Sequence, residues 1–349
     1  MLRNRFALLG SIRRLLARRW PAGPIRSFFT SCRSAREVPN GRRSCHGKTI
    51  QPALAWLAAV LTLVAVADAK GLAQEVTRTF VRIEVPGARL TAARAITADG
   101  RIVGFFTDAN GLTHGFLLVD GSFTSIDVPV PGARSTTALG INSRGDIVGS
   151  WVDSGGATHG YVLPAYGPFT VVDFENAILT TAFGINSAGD IVGQYDTREK
   201  RYGYLLSRAG VFTSIDLPDT RGPSPFGTSA FSINARGDIV GSYFDGTIHG
   251  YLLSHGAIRH MPLDVPGGIN TQARGITPQG DIVGSYVLGS RTVSFMRDRH
   301  GNYESLEAPT DQPAAATAAF GINAPGDIVG QYNYLGVTRG FGMYRMRTP

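Results

Sequence analysis

Three histidines stand in matching places: His114, His159 and His249, each followed by Gly and an aromatic residue. Histidine is the side chain most ready for metal ligation or proton transfer near neutral pH. The matching positions elsewhere hold Tyr202, Val293 and Arg339. A metal site needs ligands that converge, and residues carried by successive copies of a repeat stay apart unless they lie near a shared axis. Hydrogen bonding inside each copy is therefore the reading adopted for these histidines. An acidic series runs alongside: Asp146, Asp190, Asp238, Asp281 and Asp327, with Arg101 in the first copy. A catalytic carboxylate pair needs two acids ~5–10 Å apart. One acid per copy instead suits a turn, where it accepts backbone N–H bonds beside a glycine. Arg-Gly-Asp at 144–146 and 236–238 falls in that same turn and is read as turn composition. The chain has no Gly-x-Ser-x-Gly, no His-Glu-x-x-His, no phosphate-binding loop and no calcium loop. No catalytic residue, metal or cofactor is assigned.

The elements that position these residues come from a repeat. GRIVG at 100–104 is followed by GDIVG at 145–149, 189–193, 237–241, 280–284 and 326–330, at spacings of 45, 44, 48, 43 and 46 residues. Upstream of each stands a small-residue stretch such as TTALGIN (136–142), and downstream a segment such as HGY (159–161). A further segment such as FTSIDVP (123–129) completes the unit. Each unit thus holds four strand-like segments, here A (FTSIDV), B (TTALGIN), C (GDIVGSW) and D (THGYVL), separated by turn residues. In C, Ile147, Gly149 and Trp151 alternate with Asp146, Val148 and Ser150, the period of a strand. The B–C link, Asn142-Ser143-Arg144-Gly145, suits a type I turn closed by a left-handed glycine. No segment sustains a 3.6-residue apolar period, so helix is expected to be minimal outside the leader.

Four-stranded units of this length, repeated six times, predict an all-β, six-bladed β-propeller of antiparallel four-stranded blades. The aromatics Phe106, Trp151, Tyr195, Tyr243, Tyr286 and Tyr332 are assigned to packing between blades. The D–A links are short, whereas the A–B links run to LPDTRGPSPFGTS (217–229). Crossing from the outer edge of one blade to the inner strand of the next spans about 14 Å. Each blade therefore reads B, C, D, A from inside out. The first A-like segment (79–87) has no preceding D, and the chain ends on a D segment (339–346) with no A after it. The opening strand is predicted to complete the last blade and remove an exposed edge.

The repeat, with its GIN-x-x-GDIVG core and HGF or HGY segment, resembles the HAF family of extracellular repeats, named for a His-Ala-Phe signature. The resemblance covers residues 79–346. It departs by reading His-Gly-Phe or His-Gly-Tyr in three copies and lacking the histidine in three. It implies a secreted or periplasmic repeat protein and supplies no activity.

Charge and leader point the same way. Residues 1–50 carry twelve Lys and Arg against one acid, while from Lys70 onward 22 basic residues face 24 acidic ones. Nucleic-acid binders carry their basic surface on the folded body, so that class is excluded. Residues 53–67, ALAWLAAVLTLVAVA, form an apolar run followed by Ala-Asp-Ala, the layout of a secretory signal. The run falls short of the roughly 20 residues a spanning helix needs. Residues 1–69 are read as a removable leader, 70–78 as a linker, and 79–349 as one repeat domain, a monomer with no membrane span. Both cysteines, Cys32 and Cys45, lie in the leader, which leaves the body without disulfide or thiolate.

The function expected is a non-catalytic binding scaffold in the cell envelope or outside the cell, with a polysaccharide, envelope component or protein as partner. A glycan-active hydrolase or lyase is the alternative, with Asp219 and Asp311 in long A–B links as its candidate acids. The A–B and C–D loops share one face and vary most, and loops on a rigid scaffold usually carry binding. Arg198, Glu199, Lys200, Arg201, Arg221 and Phe226 are the candidate binding residues there.

Overall fold

Short runs of β-branched and aromatic residues, punctuated every few positions by Gly, Asn or Asp, give strands and little else. The computed structural model describes residues 78–217, 227–254, 260–307 and 316–346, and among them all regular structure is β. The proposed leader and linker lie outside the described residues except for Arg78. An opening strand, β1 (Arg78–Ile83), precedes six units. The first comprises β2 (Leu90–Ile96), β3 (Ile102–Thr107), β4 (Thr113–Val119) and β5 (Ser122–Ile126). The second comprises β6 (Ser135–Ile141), β7 (Ile147–Val152), β8 (Thr158–Leu163) and β9 (Thr170–Val172). The third holds β10 (Leu179–Ile185), β11 (Ile191–Asp196), β12 (Arg201–Leu206) and β13 (Phe212–Ile215). The fourth holds β14 (Ser229–Ile233), β15 (Ile239–Phe244), β16 (Ile248–Leu253) and β17 (His260–Pro262). The fifth holds β18 (Ile269–Ile276), β19 (Ile282–Leu288), β20 (Arg291–Arg297) and β21 (Tyr303–Leu306), and the sixth β22 (Ala316–Ile322), β23 (Ile328–Tyr334) and β24 (Val337–Arg345).

Within every unit the strands pair antiparallel in the order B, C, D, A. Among the described residues, no A strand follows β24 in the sixth unit. β1 supplies one, pairing antiparallel with β24 from Arg78↔Arg345 to Ile83↔Gly340. Phe80 stacks on Phe341 at 5.6 Å and meets Tyr332 edge-on at 5.6 Å, which seats the strand by packing as well as by its hydrogen bonds.

The core lies between units rather than inside them. One cluster joins Val103, Ile126 and Val128 of the first unit to Ala138, Ile147, Trp151 and Tyr161 of the second. Equivalent clusters join each following pair. A last cluster joins Val329 and Ile83 to Ala93, Ile96, Ile102 and Phe116, so the sixth unit packs on the first. Strand C is consequently buried on both faces: Ile147, Val148, Gly149 and Trp151 are all buried. Its alternation separates two neighbouring units, not core from solvent. The deepest side chains are the D-strand aromatics Phe116, Tyr161, Tyr204, Tyr251, Phe295 and Phe341, each 0% exposed. Burying one such ring contributes on the order of 2–3 kcal/mol.

Glycine is required where C passes B. A Cβ on Gly193 would lie 2.0 Å from the Thr181 carbonyl oxygen and 2.6 Å from the Tyr204 ring. The B–C turns close as expected, with Gly145 at φ +94° and its N–H donating to the Asn142 carbonyl at 3.0 Å.

Candidate functional site: two rims and an axial channel

The repeated Asn and Asp of the B–C turn have separate tasks. Asn142 Oδ1 accepts the N–H groups of Arg144 and Asp146, both at 3.0 Å. Its Nδ2 donates to Asp146 Oδ2 at 2.8 Å and to the Asn186 carbonyl of the next unit at 3.1 Å. The series continues from Asn186 to the Asn234 carbonyl (3.5 Å) and from Asn234 to the Thr277 carbonyl (3.2 Å). It ends with Asn323 donating to the Thr97 carbonyl of the first unit at 3.1 Å. An amide both donates and accepts, whereas a carboxylate only accepts. The turn cap expected of Asp146 is therefore the work of Asn142. Asp146 instead accepts the N–H of Ala165 in the adjacent D–A turn at 3.2 Å. Burial opposes its charge, but bonds from Asn142 and Arg144 outweigh that and hold its carboxyl below the usual range.

The opposite rim carries the A–B and C–D loops and the three histidines. His114 Nδ1 lies 2.7 Å from Asp127, His159 Nδ1 2.7 Å from Asp173, and His249 Nδ1 2.7 Å from Asp264. Each ring has a second carboxylate on its Nε2 side: Asp108 at 3.9 Å, Asp153 at 3.5 Å and Asp245 at 3.1 Å. The imidazoles also stack on the C-strand aromatics, Trp151–His159 at 4.7 Å among them. Burial works against the charge on His159 and His249, but the bonds and charges of Asp173 and Asp264, joined by Asp153 and Asp245, raise both above the ordinary histidine value. Where the histidine is missing, a cation still meets the outer acid: Lys200 on Asp216 at 2.7 Å, Arg291 near Glu307 at 3.8 Å, and Arg339 on Glu84. Lys200 and Arg291 stand two residues before the histidine position, on the same side of strand D. These histidines serve pairing inside a unit, as their spacing implied.

Of the candidate binding residues, Arg198 and Glu199 are exposed on the turn between β11 and β12. Lys200 is held by Asp216, and Arg201 is engaged by both carboxylate oxygens of Asp196 at 2.8 and 2.9 Å. These ion pairs turn Lys200 and Arg201 toward their own unit, which leaves Arg198 and Glu199 facing outward. Arg221, Phe226, Asp219 and Asp311 lie outside the described residues.

Two features had no part in the sequence reading. The first is exposed apolar surface: Leu112, Ile178, Ile269, Leu288, Leu335 and Val337 all stand on the A–B/C–D rim. Leu335, at the tip of the β23–β24 hairpin, is 77% exposed and adopts a left-handed φ of 51°. The second is the axis. Every B strand shifts register against C at one equivalent place, and the residues skipped there are Arg94, Leu139, Phe183, Phe231, Arg274 and Phe320; β18 shifts a second time nearer its start, between Ile269 and Gln272. A bulge re-aims the side chain it releases, and these six line one channel shared by all units. A large or charged residue inside an otherwise small-residue segment was the available signal.

No family model and no curated protein matches the chain. Among solved structures, it is similar to a virginiamycin B lyase from Staphylococcus aureus at 12% identity and a TM-score of 0.44, over 78% of this chain and 90% of that one. It is similar to TolB from Acinetobacter baumannii at 12% identity and a TM-score of 0.49, over 70% of this chain and 63% of that one. It is also similar to the fungal lectin from Aleuria aurantia, described as a six-bladed β-propeller with a novel mode of fucose recognition, at 13% identity and a TM-score of 0.47, over 77% and 99% of the two chains.

Proposed function

We propose that this chain is a six-bladed β-propeller, closed by β1 on β24, that acts as a non-catalytic binding scaffold outside the cytoplasm. The ring reading is supported by the last interunit cluster and by the Asn323–Thr97 link. The location is supported by the apolar run at 53–67 and the repeat's resemblance to the HAF family. The partner is a polysaccharide, envelope component or protein met by the A–B/C–D rim.

The observation that carries this reading is the apolar surface on that rim, above all Leu335. Left-handed backbone costs a leucine about 1 kcal/mol more than a residue suited to it, and an exposed leucine gains nothing in the fold to offset that. A side chain kept there at a cost to stability points to a use outside the molecule.

The test applies the compact unit Gln74–Pro349 to a glycan array and to envelope extracts, beside an activity screen on the same glycans. Binding should fall at least tenfold in Leu335→Asp and Leu288→Asp and persist in Tyr166→Asp, whose side chain lies on the opposite rim and is 95% exposed. Loss of binding in Tyr166→Asp alone would place the partner on the wrong rim, and turnover of a bound glycan would replace the scaffold reading with a catalytic one.

A further inference from the structure

Six equivalent bulges release six side chains toward one channel, and the repeat treats those positions unequally. Leu139, Phe183, Phe231 and Phe320 make the lining apolar, while Arg94 and Arg274 place two guanidiniums in it. Both rest on aromatic faces. Arg94 lies 3.9 Å from the centre of the Phe320 ring and 4.9 Å from that of Phe105, and Arg274 lies 4.0 Å from Phe231 and 5.5 Å from Phe320. Because both lean on Phe320, the two charges share one stretch of channel. Among the described residues, no Asp or Glu lines it. Arg274 donates to Gln272, yet the Nε of Arg274 and that of Arg94 are buried without a hydrogen-bond partner.

Two like charges in a narrow apolar channel are an unfavourable arrangement by themselves. Burial, with Arg274 adding repulsion, pulls Arg94 down to about 9, and burial pulls Arg274 down to about 10. Both remain protonated at neutral pH, so the repulsion persists. Ring faces offset part of it but leave in-plane N–H donors unused. The fork of N–H groups on a guanidinium fits planar or tetrahedral oxyanions. The space beside the six side chains is about 350 Å³, with Gln331 on its wall. That is enough for one such group, with room for part of a larger ligand.

We infer that the axial channel is an anion site in which Arg94 and Arg274 together hold a small oxyanion, either free or as the carboxylate or phosphate group of a larger ligand. The remaining lining of three phenylalanines and one leucine suits an apolar body next to that group. This site is independent of the rim loops and stands whether or not they bind a partner.

The test uses the full chain with sodium phosphate, sulfate, acetate and benzoate, each against sodium chloride at equal ionic strength. An oxyanion should raise Tm by at least ~2 °C through binding to the folded state, and the gain should vanish in Arg94→Gln/Arg274→Gln. Benzoate exceeding acetate assigns the site to a carboxylate on an apolar body, and phosphate or sulfate exceeding both assigns it to the free ion. Where the double variant does not fold, the wild type decides. Phenylglyoxal modification of Arg94 and Arg274, mapped by mass spectrometry, should slow at least fivefold in the most stabilising anion. Equal Tm in all salts, an undiminished gain in the folded double variant, or modification unaffected by anions would each overturn the proposal.

Discussion

The two rims of the molecule are built from the same repeat and have opposite characters. On the B–C rim the six turns have the same length, four of them share the Asn-x-x-Gly-Asp lettering, and the bonds of those asparagines run from unit to unit. On the A–B/C–D rim the loops differ in length and residue, and the ion pairs run from strand to strand within a unit. Bonding between neighbours restricts local change, because each turn must fit the next, and the turns that depart from asparagine keep a capping threonine. Bonding confined to a unit can be met by different residues, as His159, Lys200 and Arg339 show. Spacing of the units is set on one side, which leaves the other free to vary.

The strongest way to break this comparison is to remove β1. If the uniform rim alone held the units together, deleting residues 75–87 would cost little. The loss of Ile83 and Phe80 from the last interfaces and of the whole β1–β24 ladder should instead lower Tm by more than ~10 °C, or prevent folding, in thermal denaturation. Next in size is Gly193→Ala, which drives a methyl group into the Thr181 carbonyl and should cost at least ~3 kcal/mol in urea denaturation. A milder urea series separates the two tasks of the turn amide. Asn142→Ala removes the cap and the interunit bond and should cost about 2 kcal/mol. Asn142→Thr should cost about half as much, because Thr97 and Thr277 already cap their turns through Oγ1, accepting from Arg101 and Asp281 at 3.0 Å. Equal costs for the two would mean that the interunit bond contributes everything and the cap nothing.

The variable rim responds to pH. With the folded pKa of His159 and His249 raised, their pairing stabilises fully below the unfolded value of about 6.5 and fades as pH rises through the higher folded value. His159→Phe/His249→Phe should flatten the stability profile above about pH 6, followed by Tm. Smallest of all, Leu335→Asn should raise stability by about 0.5–1 kcal/mol, since asparagine accepts the left-handed turn. A loss of stability there would show that Leu335 serves the fold after all.

Much of the architecture was legible because it repeats. The B, C, D, A order followed from link lengths, and the pairing of the opening strand with the last unit followed from an A segment without a D and a D without an A. The interunit use of Asn142 was not legible, since its turn already explained the residue and its second bond reaches a carbonyl 44 positions away. The axial side chains were hidden for a different reason. In a regular strand Arg94 and Phe320 would point with their alternate neighbours into an interface, and only the bulge turns them to the axis. Lys200 and Arg201 were placed on the correct loop, but Asp216 and Asp196 become their partners only through strand pairing.

The junction of β1 with β24 also sets an order of events in time. Arg78 and Arg345 must meet before the sixth unit has an outer strand, so nearly the whole chain has to be available before folding can finish. A chain delivered from its N-terminus waits with both terminal edges unpaired until the final strand arrives. Such distant closure is slow relative to local hairpin formation.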